Sequence, residues 1–397
     1  MGILADTPGV ARVVPSASIV VNFRIADRRK TPDQAAPSGK LADQRPRAAA
    51  ANNLSRTPRS PHPPTRPMST LLLDRAQLEV RCEGDALALY EAGQRRGTVP
   101  VHLLERCIVH GAGTRLDSGV LLRLAEAGVA TVLFSPRLGR RVATVLGPAH
   151  QDAAVRLAQA RRVLDVAWSL DFARQIVRAK LARQRRVIAH WAAARPDARK
   201  PLFDAEATVA AALARLGSAA DADTLRGLEG SAARAHFAAL AAVLPPALGF
   251  AGRNRRPPRD PANVALSLAY TLLHVQAVQA CHAAGLDALL GFYHRPAHGR
   301  ESLASDLIEP LRPRVDLWVW QRFRERELRE DHFTTDRGAC LLCKAGRSAF
   351  YAAWQRDAAA PQRWLRAATR SLARALRDEG RALVDADPAD EEAAACA

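Results

Sequence analysis

The sequence predicts an α+β multidomain chain, a small N-terminal β domain followed by a mostly α-helical domain. Two observations carry that prediction. From 70 to 147, short apolar runs are separated by Gly, Asp and Pro at turn-like intervals, the pattern of half-buried strands. From about 150 onward the apolar spacing lengthens to three- and four-residue steps, the mark of helices. Aromatic residues make up only 5% of the chain, so both cores must be built mainly of Ala, Leu and Val.

The first segment, 1–67, is set apart from both. It holds ten of the 25 prolines and eleven Lys/Arg against four Asp/Glu, without sustained periodicity. The chain has only two methionines, and the second, Met68, stands where globular patterning begins. Residues 1–67 therefore read as a disordered leader or a mis-assigned start, ahead of a transit peptide as the competing reading.

In the β domain, 68–148, the strand candidates are 70–73, 86–90, 98–101, 107–109, 129–134 and 141–146. One amphipathic helix interrupts them over 117–127, with Asp117 as its N-cap and Gly128 as its stop. "FSPRLGRR" reads as a tight basic hairpin loop. The helical domain spans 149–380. Its first stripe runs through Val163, Val166, Ala167, Leu170, Ala173, Ile176, Val177 and Leu181. Arg161, Arg162, Arg174, Arg178, Lys180, Arg183, Arg185 and Arg186 accompany that stripe, and a solvated face accounts for most of them. Further helices are predicted at 205–217, 231–244, 262–284, 302–330 and 347–378, before an acidic, frayed tail at 381–397.

Composition bounds function. Lys and Arg number 58 against 40 Asp and Glu, a net charge of +18, and only five of the 58 are lysine. Codon bias explains part of that arginine excess. The charge still attracts polyanions, of which nucleic acid is the commonest large one. Without residues 1–67 the remaining chain keeps about +11. No run of eighteen uncharged apolar residues appears and no secretory signal opens the chain, which argues against membrane insertion and secretion. The six cysteines are scattered, as suits a reducing cytoplasm. Cys340 and Cys343 form a C-x-x-C, but a structural zinc site needs a second ligand pair, so two buried thiols are expected.

Three polar stretches stand out in the helical region. In "LRGLEGSAARAHF" Glu229 lies between Gly227 and Gly230. Each glycine costs a helix interior about 1 kcal/mol, so the pair suggests a helix start or a close backbone approach. The plain alternative is a carboxylate complementing a helix N-terminus. In "FAGRNRRPPRDPANVALSLAY" Arg253, Arg255, Arg256 and Arg259 lie beside Pro257, Pro258 and Pro261, with Asp260 or Asn263 available to cap the next helix. Proline stiffens such a loop, and arginine's planar fork suits phosphate, although an ordinary polar loop has the same composition. In "GFYHRPAHGRESLASDLIEP" a helix starting near Ser302 puts Asp306 and Glu309 on one face, with His294 ending an apolar approach. Two carboxylates and a histidine can hold a divalent cation, and alone such a trio more often simply faces solvent.

Together with "FTTDRGACLLCKAGR" these stretches, in order, resemble the motifs of the CRISPR adaptation integrase family, metal-dependent endonucleases that insert new spacers. The resemblance runs from about 70 to 355. It implies a β domain joined to a helical catalytic domain in a homodimer, two of which flank a dimer of a small ferredoxin-fold partner as a heterohexamer. By motif position it places metal-binding roles on Glu229, His294 and Glu309, with Asp306 a further acidic position and His298 only a loop residue. Two departures stand out: His236 replaces a usual Tyr that would contact DNA, and Pro310 follows Glu309 where an acidic residue is usual.

The implied chemistry is phosphoryl transfer, a DNA 3′-hydroxyl attacking a phosphodiester with Mg²⁺ or Mn²⁺ held by Glu229, His294 and Glu309. Arg253, Arg255, Arg256 and Arg259 would grip the backbone of a pre-spacer duplex or the CRISPR repeat. Two alternatives stay open: a catalytically silent DNA-binding scaffold of the same complex, and a zinc hydrolase using His294, His298 and Glu309.

Overall fold

The structure is a computed structural model, describing residues 69–75, 77–110, 113–135, 141–254 and 257–385. The leader 1–67 and the end of the tail, 386–397, lie outside the described residues.

The N-terminal part forms two four-stranded sheets. Strands β1 Ser69–Leu73, β2 Leu78–Glu83, β3 Ala86–Glu91, β4 Gln94–Pro100, β5 Leu104–His110, β6 Arg115–Leu116, β7 Ala130–Phe134 and β8 Arg141–Val145 supply them. One sheet has the order β4-β3-β2-β6 and the other β1-β5-β7-β8. β2, β3 and β4 form an antiparallel meander. Its second turn is Ala92–Gly93, with φ of 52° and 75°, the left-handed pair that matches strand twist in a tight hairpin. β2 was not anticipated, although Leu78 and Val80 alternate inward against Glu79 and Arg81.

In the other sheet β1, β5 and β7 are parallel and β8 returns antiparallel. That pairing is what the basic hairpin loop requires, and the loop's own residues 136–140 lie outside the described set. Helix α1, Ser118–Glu126, connects the layers as expected. The Asp117 carboxylate accepts from Val120 N–H at 2.7 Å, and Gly128 leaves the helix at φ 70°.

The central strands of this sheet, β5 and β7, are buried on both faces. Leu71, Leu73, Cys107, Val109 and Val129 pack with β2, β3 and α1 in a small core. Ile108, Val132 and Phe134 join the large core of the helical part. A strand covered on both sides reads as a continuous apolar run, which is why 107–109 does not alternate.

Ten helices in all include α2 Ala153–Leu164, α3 Val166–Ala194, α4 Arg199–Arg215, α5 Ala222–Val243 and α6 Pro261–Ala284 among the described residues. The remainder are α7 Ser302–Ile308, α8 Arg312–Arg324, α9 Lys344–Asp357 and α10 Ala359–Asp385. The predicted long stripe breaks at Asp165, whose side chain caps α3 by accepting from Trp168 N–H. Ala173, Ile176, Val177 and Leu181 are buried as expected, whereas Val166 at the new helix start is 76% exposed.

α6 is capped by Asp260, accepting from Asn263 N–H at 2.8 Å, and stopped by Gly285 at φ 81°. It is long and apolar enough to cross a membrane, but 72% of that span is buried inside the protein as the central core helix. Pro310 divides the predicted 302–330 helix. α7 ends at Ile308, Glu309–Leu311 form one 3₁₀ turn, and α8 follows. Beyond α8, β9 Phe333–Asp336 and β10 Ala339–Leu342 make an unanticipated antiparallel hairpin. Cys340 is buried in β10, and Cys343 is only half-buried because its thiol caps α9.

Candidate functional site

Glu229 sits well inside α5, which begins seven residues earlier at Ala222 behind the Asp221 cap. That corrects the expected helix start at 231. The buried stripe of α5 runs through Leu225, Ala232, His236, Ala239 and Leu240, and Glu229 is its acidic member. The flanking glycines mark neither a helix end nor a close approach. A Cβ on Gly227 would meet nothing within 4 Å, and one on Gly230 only the Arg234 guanidinium at 3.9 Å.

His294 is held by a folded loop. Phe292 anchors it in an aromatic cluster, its ring 4.6 Å from that of Trp168 and 4.8 Å from that of Phe172. Gly291 is obligatory there, since a Cβ would come within 2.6 Å of Ser302 carbonyl carbon. Asp306, fully enclosed on α7, organises the rest. One oxygen accepts from Phe292 N–H at 2.8 Å and Tyr293 N–H at 3.0 Å. The other accepts from His294 N–H at 2.9 Å and from its ring Nδ1 at 2.7 Å. A carboxylate only accepts, so Nδ1 carries the proton and Nε2 keeps a free lone pair in the neutral ring. With both oxygens engaged, Asp306 aims the imidazole and has no lone pair facing outward for a metal.

Glu309 lies in the 3₁₀ turn that Pro310 imposes, buried at 6% exposure. Arg312 Nε donates to one of its oxygens at 2.7 Å and Lys180 Nζ to the other at 2.6 Å. Lys180 Nζ also donates to Glu229. The two carboxylates, brought from α5 and from the turn before α8, therefore converge on one cationic atom supplied by α3. Burial alone pushes the Glu309 carboxyl up, but Arg312 and Lys180 outweigh it, with His294 adding to their effect, and hold it at about 2. Burial disfavours the Lys180 ammonium, yet Glu309 and Glu229 more than compensate and raise its pKa. Burial, then Glu229 and Glu309, push the Tyr293 phenol well up, so its ring shares their field.

Behind Arg312 runs a buried polar chain. The guanidinium stacks on Tyr270 at 4.7 Å, the Tyr270 hydroxyl donates to Asp316, and His236 Nε2 lies 3.0 Å from the other Asp316 oxygen. His236 is wholly buried, so that position supports Arg312 from below and cannot touch DNA.

Among the described residues no three His, Cys, Asp or Glu side chains stand preassembled as a cation cage. The point where Glu229 and Glu309 meet is filled by Lys180, and His298 is exposed on the loop, so the zinc trio of His294, His298 and Glu309 is not assembled. Lys180, grouped by sequence with the solvated arginines, is instead buried in the site. Its position between Val177 and Leu181 on the apolar stripe was the available signal.

The arginine loop also divides. Arg253 turns inward, donating to Asn263 at 2.7 Å and Ser267 at 3.0 Å. Asn254, Asp260 and Asn263 knit the loop, and Pro258 C=O accepts from Cys340 N–H at 2.9 Å. Arg259 is exposed, while Arg255 and Arg256 lie outside the described residues.

Chemically, two carboxylates and a free imidazole nitrogen are a donor set suited to a hard divalent cation such as Mg²⁺ or Mn²⁺. The family model described as CRISPR associated protein Cas1 matches residues 71–356. A CRISPR-associated endonuclease Cas1 of Thermodesulfovibrio yellowstonii is 33% identical over 287 residues, 72% of this chain and 89% of its own. The fold is shared with a casposase bound to its integration product, at TM-score 0.68 and 20% identity, covering 78% of this chain and 91% of that one. It is shared too with a Cas6-RT-Cas1–Cas2 complex, at TM-score 0.67 and 23% identity, covering 81% of this chain and 36% of that one.

Proposed function

Because the chain belongs to the Cas1 family, whose relatives are CRISPR-associated endonucleases, we propose that it inserts new spacers into a CRISPR array by metal-dependent phosphoryl transfer. The observation that carries this reading is the convergence of Glu229 and Glu309 on one cationic position, with the free Nε2 of His294 in their field. We assign the activity to residues 68–380, with 68–148 as the β domain and 149–380 as the catalytic domain.

Glu229, His294 and Glu309 would hold Mg²⁺ or Mn²⁺, the imidazole shifting preference toward Mn²⁺. When bound, the ion supplies Lewis-acid stabilisation of the phosphodiester and activation of the attacking DNA 3′-hydroxyl. The chain's own groups prepare that position. Asp306 orients the His294 ring through its Nδ1–H, and Arg312 with Lys180 keeps Glu309 anionic. Arg259, with Arg255 and Arg256, would grip the DNA backbone. A homodimer working with a small ferredoxin-fold partner of the Cas2 kind completes the proposed assembly, in keeping with the fold shared with a Cas1–Cas2 complex.

The silent-scaffold alternative draws on one observation, that Lys180 and Arg312 already balance the acidic pair. An integration assay separates the two, using a pre-spacer duplex, a supercoiled repeat-bearing target and the small partner, with and without Mn²⁺. The proposal expects Mn²⁺-dependent integration that Glu229→Gln, His294→Ala or Glu309→Gln abolishes while DNA binding is retained. DNA binding without metal-dependent strand transfer, in the unaltered protein as in these variants, would establish the scaffold instead.

A further inference from the structure

Lys180 is the one buried lysine among the described residues. Lys200 has an 87% exposed side chain and Lys344 is exposed at the start of α9. The chain uses arginine for nearly all its cations, five of 58 being lysine, yet places lysine where the buried Glu309 and the half-buried Glu229 converge. The two side chains differ in shape. A guanidinium is a wide planar fork, whereas an ammonium is a compact point charge with tetrahedrally arranged donors. Nζ accordingly takes one oxygen from Glu229 on α5 and one from Glu309 beyond α7, with its side chain only 10% exposed. The remaining Glu309 oxygen is taken by Arg312, which approaches from its own side and leaves the space between the carboxylates to Nζ.

Two converging carboxylates, one buried and one half-buried, are destabilising without a cation between them, because they are partly desolvated and repel. The fold therefore needs a positive charge at this point whether or not a metal is bound. Lys180 supplies one on a four-carbon stem that is flexible enough to leave.

We propose that Lys180 is a resident counter-ion of the cation position. It holds Glu229 and Glu309 together in the metal-free protein and is displaced from between them when a divalent ion binds. Metal affinity is then set by competition with the protein's own ammonium. This inference rests on the metal reading of Glu229, His294 and Glu309 and adds to it a residue that the sequence motifs do not single out.

The test is Mn²⁺ binding, followed by the EPR signal of free Mn²⁺, alongside thermal unfolding in EDTA. Lys180→Met keeps the apolar stem and removes the charge; Lys180→Gln is a milder partner that keeps a hydrogen-bond donor. Both are expected to bind Mn²⁺ at least about tenfold more tightly than the unaltered chain, a change worth about 1.4 kcal/mol. Both are expected to unfold at lower temperature in EDTA, with Mn²⁺ restoring more of that loss than it adds to the unaltered chain. Combining Lys180→Met with Glu229→Gln, which leaves Glu309 paired with Arg312, should recover the EDTA midpoint, marking the loss as charge imbalance. Equal or weaker Mn²⁺ binding by both single variants, with the unaltered chain still binding, would overturn the counter-ion role and leave the metal reading intact. An unaltered chain that binds no Mn²⁺ at all would overturn both.

Discussion

Asp306 has no path to solvent and four N–H groups aimed at its two oxygens, so its work is orientation. Asp306→Asn keeps the shape but replaces one acceptor oxygen with a donor, which must face an N–H group and frees the His294 tautomer. Partners of this kind typically contribute 10- to 100-fold to metal affinity, and a loss of about that size in Mn²⁺ binding is expected, with the fold retained by circular dichroism. Unchanged affinity would mean that His294 is aimed by something else. The motifs named His294, Glu229 and Glu309, with Asp306 as a further acidic position, but did not show that Asp306 spends both oxygens on the His294 loop. Its four hydrogen bonds come from a loop whose path depends on Gly291 and on the Trp168–Phe172–Phe292 cluster, a contact across more than a hundred residues of chain.

At the scale of elements, the site hangs on the junction between β8, α6 and the start of α7. Arg141 of β8 pairs with Glu301 just before α7, and His274 of α6 lies 3.4 Å from the same carboxylate, with Ser305 Oγ 3.5 Å from its other ring nitrogen. Burial pulls the His274 pKa from 6.5 down to about 4, against the pull of Glu301. The unfolded chain therefore binds this proton more readily than the folded one. Stability from His274 is full above pH 6.5 and is lost as pH falls toward 4. Unfolding midpoints should fall across that window, and His274→Gln should flatten the slope; an identical slope would place the acid sensitivity elsewhere. Glu309 adds its own loss from the ordinary carboxylate value of 4.5 downward, reaching completion only as pH falls past about 2, so the His274 slope is read cleanly above about pH 5.

Element boundaries also mark where local patterning reaches its limit. Asp117, Asp260 and Gly128 did what their side chains and backbone freedom dictate, because a cap is a local event. The breaks at Asp165 and Pro310 carried equally local signals, but the apolar periodicity running through them masked the interruptions. The hairpin of β9 and β10 turns on Arg337 and Gly338, both with positive φ, inside a region whose surroundings are helical.

For the whole molecule, the two predicted layers are present but are not detached. The β1-β5-β7-β8 sheet carries one face into each core. Arg347 reaches back to Asp74 at 2.7 Å, and Arg366 to Glu105 at 2.7 Å, tying the late helices to the strands. Periodicity separates helix from strand, but burial on two faces is settled only when the layers meet. The same holds for the centre of the site, where α3, α5 and the Pro310 turn bring Lys180, Glu229 and Glu309 together. A crystal of the protein soaked in Mn²⁺, with anomalous scattering recorded at the manganese edge, tests that convergence most directly. The account predicts one strong peak about 2.1–2.3 Å from carboxylate oxygens of Glu229 and Glu309 and from Nε2 of His294, with Lys180 withdrawn from between them. A Mn²⁺ peak bound away from these side chains, or a Lys180 ammonium still bridging the two glutamates beside an occupied site, would contradict it.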